Sequence, residues 1–195
     1  MKILNLYAGI GGNRKLWGNE HEITAVELDK DIAATYEALY QNDKVVITDA
    51  HQYLLDYYKE YDFIWSSPPC QTHSRANYFI HYTSGARYAD MKLWQEIIFL
   101  QQFYKGKYCV ENVISYYDYF IEPQKIGRHY LWANFNIPKI EQPKGEIGGM
   151  CGKNQTASKK TLEQRNAVNS ELGLHILNRA MGIIKENKVE QNKLF

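Results

Sequence analysis

The chain has 195 residues, 45% of them apolar, and a formal net charge of +1. That length allows one domain with at most a small appendage and a core of real size, while the near-zero charge argues against a strong polyelectrolyte partner. No apolar run nears the roughly 20 residues of a membrane span. Met1 to Leu6 leads straight into strand-like sequence without a cleavable signal pattern. Cys70, Cys109 and Cys151 are too few and too far apart for a disulfide framework or a zinc site, which suits a reducing cytosol.

The charge is unevenly spread. Of the 23 basic and 22 acidic residues, 11 basic and 15 acidic precede Ile121. The last third is therefore better suited to a phosphate backbone, although a solvated lysine-rich face gives the same count. The 16 tyrosines could stack on bases or serve as partly buried core and surface residues.

In chain order, Ile3-Leu4-Asn5-Leu6-Tyr7 is an apolar run closed by Ala8-Gly9-Ile10-Gly11-Gly12, a strand entering a glycine-rich turn. Arg14 to Trp17 starts a helix. Glu22 to Leu28 reads as a second strand ending in Glu27, and Asp29 caps a helix over Ile32 to Leu39. Lys44 to Thr48 is a third strand ending at Asp49-Ala50, and Gln52 to Lys59 a helix. Tyr61 to Trp65 is a fourth strand, stopped by Pro68-Pro69 ahead of Cys70. Thr72 to Tyr88 is polar and aperiodic, and so long a connection in a compact domain is functional or mobile. Met91, Leu93, Trp94, Ile97, Ile98, Leu100 and Phe103 mark the buried face of a helix over Ala89 to Tyr104. Lys107 to Val110 is a fifth strand ending at Glu111-Asn112-Val113, and Tyr130 to Ala133 is another. Asn136 to about Thr161 is irregular and rich in lysine and glycine. A final helix spans Leu172 to Ile184, followed by a polar tail.

Strands alternating with helices at this spacing predict an α/β fold with an open, mostly parallel sheet. Ligands of such sheets sit at the carboxyl ends of strands, and those ends hold the Gly9 turn, Glu27, Asp49, Cys70 and Glu111. Arg14 occupies the third glycine position of G-x-G-x-x-G, so the dinucleotide pattern fails. A glycine turn with Glu27 to accept from ribose hydroxyls and Asp49 to accept from an adenine amine still fits an adenosine ligand without a pyrophosphate. S-adenosylmethionine meets that description better than a nicotinamide cofactor. Cys70 is either a small core hydrophobe or a nucleophile aimed by the rigid proline pair. With Glu111 on the neighbouring strand end, a thiol could add to a pyrimidine whose ring nitrogen the carboxyl engages.

With these residues in order, the sequence resembles the cytosine carbon-5 methyltransferase family. Tyr7 to Gly12 looks like its first motif, with Tyr7 where phenylalanine is usual. Glu27-Leu28-Asp29 is similar to the ribose-binding motif and Asp49-Ala50 to the adenine-binding one. Pro69-Cys70-Gln71 with Ser74 resembles the Pro-Cys-Gln motif, and Glu111-Asn112-Val113 the Glu-Asn-Val motif. Gln124-Lys125-Ile126-Gly127-Arg128 resembles Gln-x-Arg-x-Arg with Ile126 in place of the first arginine. Asn166-Ala167-Val168 resembles Gly-Asn-Ser-Val with Arg165 in place of the glycine. The resemblance implies a Rossmann-like S-adenosylmethionine-dependent methyltransferase fold with helices on both faces. It further implies DNA methylation at carbon 5 of a flipped cytosine through a Cys70 adduct, with Glu111 on ring nitrogen 3 and Arg128 holding the base or its phosphate. Tyr7, Ala8, Gly9, Ile10, Gly11, Gly12, Glu27, Leu28, Asp49, Ala50, Pro69, Leu93, Asn166, Ala167 and Val168 would line the cofactor site. Gln71, Ser74, Arg75, Arg87, Lys153, Lys159, Lys160 and Arg165 would face nucleic acid, with Thr72 to Tyr88 as the mobile catalytic loop. Arg75 and Arg87 are equally readable as solvated surface residues.

The implied organisation is a catalytic and cofactor-binding domain over 1–134, a reduced target-recognition segment over 135–164, and a C-terminal helix over 165–195 completing the domain. About 30 residues in the middle segment, with Lys139, Lys144, Lys153, Lys159 and Lys160, can contact phosphates but are few for reading bases. The enzyme then reads a short site or none, relies on a partner chain or homodimer, or acts on RNA such as tRNA. A non-catalytic binding remnant of the family is the alternative outside enzymes. A cytoplasmic protein of bacterial or phage type, from a restriction-modification setting, fits the leading expectation.

Overall fold

The computed structural model describes residues 1–85, 87–140 and 167–183. Its centre is a seven-stranded sheet in the order β3-β2-β1-β4-β5-β7-β6, built from β1 (Lys2–Leu6), β2 (Glu22–Glu27), β3 (Lys44–Ile47), β4 (Phe63–Ser66), β5 (Lys107–Val113), β6 (Gln124–Ile126) and β7 (His129–Ala133). The first five strands pair in parallel, and β7 pairs antiparallel with both β5 and β6. The chain winds outward from β1 to β3, then returns to lay β4 on the other side of β1. That reversal opens a crevice above the carboxyl ends of β1 and β4.

Both faces of the sheet are covered, so its strands are apolar at nearly every position. Leu4, Leu6, Ile64, Tyr108 and Val110 pack with α2 (Ala50–Tyr57) and α4 (Lys92–Phe103). Ile3, Ile23, Phe63, Trp65 and Cys109 face the opposite way, against Trp17 and α5 (Ser170–Ala180). Each strand divides its side chains between the two layers with period two.

The cap at Asp29 is as the sequence predicts, and two further caps are found. Asp29 accepts from the amides of Asp31 and Ile32 at the start of α1 (Lys30–Leu39). Asp49 accepts from Gln52 N at the start of α2, and Asn169 from Glu171 N and Leu172 N at the start of α5. Several expectations are corrected. Arg14 to Trp17 is a single 3-10 turn over Arg14–Leu16. The Thr72 to Tyr88 connection contains a helix, α3 (Asn77–Ser84), which its polar composition hides. On α4 only Leu93, Trp94, Ile97 and Leu100 of the named apolar set are buried, while Met91, Ile98 and Phe103 face outward. β5 continues through Val113, so Glu111 lies within the strand and not beyond its end. The strand β6 is missing from the sequence reading, because three residues are too few to show alternation.

Arg14, the residue that breaks the glycine pattern, is buried. Its Nε and one terminal nitrogen meet Asp43 Oδ2 and Oδ1 at 2.8 and 2.9 Å, and Tyr36 donates its hydroxyl to Asp43 Oδ2 at 2.8 Å. The guanidinium also lies 5.1 Å from the ring centre of Tyr40, whose hydroxyl donates to Gly11 O. This cluster fixes the glycine turn against α1. Asp43→Ala would strand a buried guanidinium, and we expect it to lower unfolding stability by about 3–5 kcal/mol in urea titrations.

Candidate active site

The Cys70 loop leaves β4 at Ser66 and is held from both sides. Trp65 Nε1 donates to Ser67 Oγ at 2.7 Å. Asn112 Nδ2, from β5, donates to Pro68 O at 2.9 Å. The amides of His73 and Ser74 both close on Cys70 O at 3.0 Å. Cys70 is half-buried, whereas Cys109 is sealed in the core. Cys70 opens on a cleft of about 1500 Å³ across the carboxyl ends of the strands, which it shares with Glu111, Arg128 and His129.

Glu111 is nearly buried, and its Oε1 lies 2.6 Å from His129 Nδ1. Burial pushes the Cys70 thiol above its ordinary value, and the negative charge of Glu111 pushes it further in the same direction. The free protein therefore holds a protonated thiol. Anything that neutralises Glu111 eases ionisation of Cys70.

The other half of the cleft is lined by Tyr7, Ala8, Gly9, Ile10, Gly12, Glu27, Leu28, Asp49, Ala50, Pro69, Leu93, Ala167 and Val168. Tyr7 adopts a left-handed backbone (φ 54°), unusual for a bulky residue. Its hydroxyl is tied to Glu96 Oε1 at 2.6 Å. Glu96 is fully buried and also accepts from Ser66 Oγ at 2.6 Å and pairs with His51 Nδ1 at 3.1 Å. Gly12 lies so close to the chain at 167–168 that a Cβ there would fall 2.6 Å from Val168 O. Gly173 of α5 meets Asn13 O just as closely, so a side chain is excluded there despite the helical context.

The family model for C-5 cytosine-specific DNA methylases matches residues 1–116. The chain belongs to that family. No curated protein matches it significantly. Solved structures similar to it include a mutant of DNMT2 from Spodoptera frugiperda (26% identity, TM-score 0.41, 57% of this chain and 35% of that one). Others are a SAM-dependent methyltransferase from Agrobacterium tumefaciens (15%, 0.43, 62% and 41%) and NSun6 from Pyrococcus horikoshii (19%, 0.40, 58% and 34%). The aligned part thus spans under half the length of each.

S-adenosylmethionine is the cofactor of the methylase family, and the cleft fits it. A Cβ on Gly9 would meet no atom within 4 Å, so the turn leaves open space where a ligand backs onto it. Leu28 is 66% exposed on the cleft wall, an apolar surface for an adenine ring. Glu27 is partly committed already. Its Oε2 accepts from Gly9 N and its Oε1 from Leu28 N and Asp29 N, at 2.9 to 3.0 Å. One lone pair of Oε2 is left for a ribose hydroxyl. Asp49 spends Oδ1 on its cap and has Lys92 Nζ 3.6 Å from Oδ2.

Some expected residues lie elsewhere. Gly11 faces the rings of Tyr36 and Tyr40, not the cleft. Ser74 bridges to Ser115, and Arg75 and Arg87 are exposed beside the cleft without lining it; only Gln71 of that group does. Ile126, in place of the first motif arginine, is buried with Leu131 and Ile137 in the core. Asn166, Lys153, Lys159, Lys160 and Arg165 lie outside the described residues. Sequence reasoning missed Glu96, His51 and His129. A carboxylate amid apolar helix positions and a histidine directly after Arg128 were the available signals.

Two measurements probe this site. Glu111→Gln removes the charge that holds the Cys70 thiol protonated, so the pH midpoint of Cys70 alkylation by iodoacetamide should fall. An unchanged midpoint would show that Glu111 does not act on the thiol. The hydrogen bond to Glu96 raises the His51 value, its largest influence. A raised value means stability that is full below the unfolded pKa near 6.5 and lost as pH rises through the folded one. The thermal midpoint of His51→Gln should lack that component, and its pH profile should be flatter than the wild type's above pH 6.

Proposed function

We propose that the chain methylates carbon 5 of cytosine in DNA through a covalent Cys70 adduct on a flipped base, with short or relaxed site specificity. The observation that carries this reading is the meeting of Cys70 and Glu111 with the Gly9 turn, Glu27 and Asp49 in one cleft. Cys70 Sγ adds as thiolate to carbon 6. Glu111 gives a proton to ring nitrogen 3, so the electron pair released by addition settles between carbons 4 and 5. The proton that Cys70 gives up on ionising passes to Glu111, so the neutral carboxyl no longer opposes the thiolate and holds the proton that the ring takes. S-adenosylmethionine, when bound, supplies an electrophilic methyl group to carbon 5. A base then takes the carbon 5 proton, Glu111 recovers its own, and Cys70 leaves as thiolate. Arg128, exposed at the tip of the β6–β7 hairpin, would help hold the base or its phosphate.

A second reading rests on α3. Tyr78, Phe79 and Tyr82 project from it, Phe79 71% and Tyr82 94% exposed, with Tyr88 84% exposed nearby. Exposed rings on the segment that follows the Cys70 loop suit unpaired bases, which favours RNA or single-stranded DNA. The segment 135–164 is offered as the reduced recognition region, with DNA contacts from its lysines and further base reading left to a partner chain or second copy.

The protein incubated with methyl-labelled S-adenosylmethionine and duplex DNA, single-stranded DNA or tRNA should label duplex DNA most. Cys70→Ala should abolish transfer, and Glu111→Gln should lower turnover roughly 10²–10⁴-fold. Labelling confined to tRNA would move the assignment to RNA. Cofactor binding without transfer to any of the three would leave a binding remnant.

A further inference from the structure

The turn between β6 and β7 decides what stands beside Glu111. Ile126 pairs with His129 across a two-residue hairpin loop. Gly127 has φ 57°, and Arg128 keeps an ordinary negative φ. Glycine at the first of two loop positions is the hairpin that follows sheet twist without strain. It turns Arg128 outward at the tip and starts β7 on His129. Across the sheet Glu111 pairs with Leu131, and Val113 with His129. Glu111 and His129 therefore share one face as diagonal neighbours. Their side chains are nearly buried, 8% and 13% exposed, and Oε1 and Nδ1 are 2.6 Å apart.

An ionised carboxylate only accepts, so Nδ1 carries the hydrogen. Among the described residues Glu111 makes no other side-chain hydrogen bond, and Arg128 does not reach it. The arginine that the motif would place two residues before the tip is Ile126, turned into the core. The ionisable groups on this cleft wall are Glu111, Arg128, Cys70 and His73, and His73 is occupied by the Tyr117 hydroxyl at 2.6 Å.

We infer that His129 is the positioning residue of Glu111, its Nδ1–H pinning Oε1 so that Oε2 is the atom that meets ring nitrogen 3 of the cytosine. This rests on the function proposed above. In the addition step the Cys70 sulfur pair forms the bond to carbon 6 and the carbon 5–carbon 6 π pair moves to carbon 4–carbon 5. The carbon 4–nitrogen 3 π pair then takes from Glu111 Oε2 the proton that Cys70 gave up on ionising. The carboxylate left behind keeps its hydrogen bond from neutral His129.

The test uses the full chain as wild type, His129→Phe, which keeps the ring volume, and His129→Asn, whose Nδ2 replaces the Nδ1 donor without titrating. The carboxylate stretch of Glu111, assigned by its loss in Glu111→Gln, is read by infrared difference spectroscopy at one fixed pH, with no nucleic acid present. His129→Phe should shift that stretch as the hydrogen bond to Oε1 is lost, and His129→Asn should restore most of it. In methyl transfer, His129→Phe should lower kcat roughly 10–100-fold with KM for S-adenosylmethionine unchanged. His129→Asn should recover turnover. An infrared stretch indifferent to His129, or His129→Asn as impaired as His129→Phe at equal thermal stability, overturns the assignment of His129. Wild-type protein that transfers no methyl group while the infrared shift is present overturns the function and, with it, proton delivery to the ring.

Discussion

The buried carboxylate of Glu96 holds the two halves of the cleft in register. It reaches from α4 to Tyr7 after β1, to Ser66 at the end of β4 and to His51 on α2. A carboxylate removed from water is costly unless each oxygen is satisfied, and here three partners from three elements satisfy it. The glycine turn begins after Tyr7, and the Cys70 loop begins one residue after Ser66. One group thus sets the starting point of both functional loops, and the left-handed backbone of Tyr7 persists because its hydroxyl is fixed at the far end.

A second clamp works from the neighbouring strand. Asn112 ties β5 to the carbonyl of Pro68, while Glu111, one residue earlier, points to the opposite face and into the site. The alternation of a strand places a structural and a chemical side chain side by side in sequence and apart in space. This gives a physical reason for an acidic residue and an amide to stand together at the end of β5. Cys70 therefore receives its position from its own loop and from Trp65 and Asn112 beside it, and its raised pKa from burial and then from Glu111.

The parallel strands and the cap at Asp29 were legible because buried β-runs and N-cap chemistry are local signals. Cys70, Glu111, Glu27 and Asp49 were legible as strand-end residues of such a sheet, and the cleft does gather them. Glu96 was hidden because one acidic residue within Leu93, Trp94, Ile97 and Leu100 looks like a solvent-facing position on an amphipathic helix. His129 was hidden because its meaning depends on a hairpin register, which a three-residue strand does not advertise. The helix within Thr72 to Tyr88 was missed because its exposed tyrosines and phenylalanine leave no buried stripe to read. Ile126 shows the converse: a motif position judged by its missing arginine is a core residue once the strand is drawn.

The tight seat of Gly12 against Val168, and of Gly173 against Asn13, makes the cleft a long-range closure. A ribosome delivers the glycine turn, the Cys70 loop and Glu111 well before the segment that walls them in. Until α5 arrives, the Ile3, Phe63 and Trp65 face of the sheet is covered only in part, by Trp17 and its neighbours, and this sticky nascent surface must be kept from other chains. Closure entropy for so distant a pairing is recovered only at the end. Ligand-binding competence and escape from aggregation should therefore appear together and late during synthesis, an order that arrested nascent chains of increasing length would reveal.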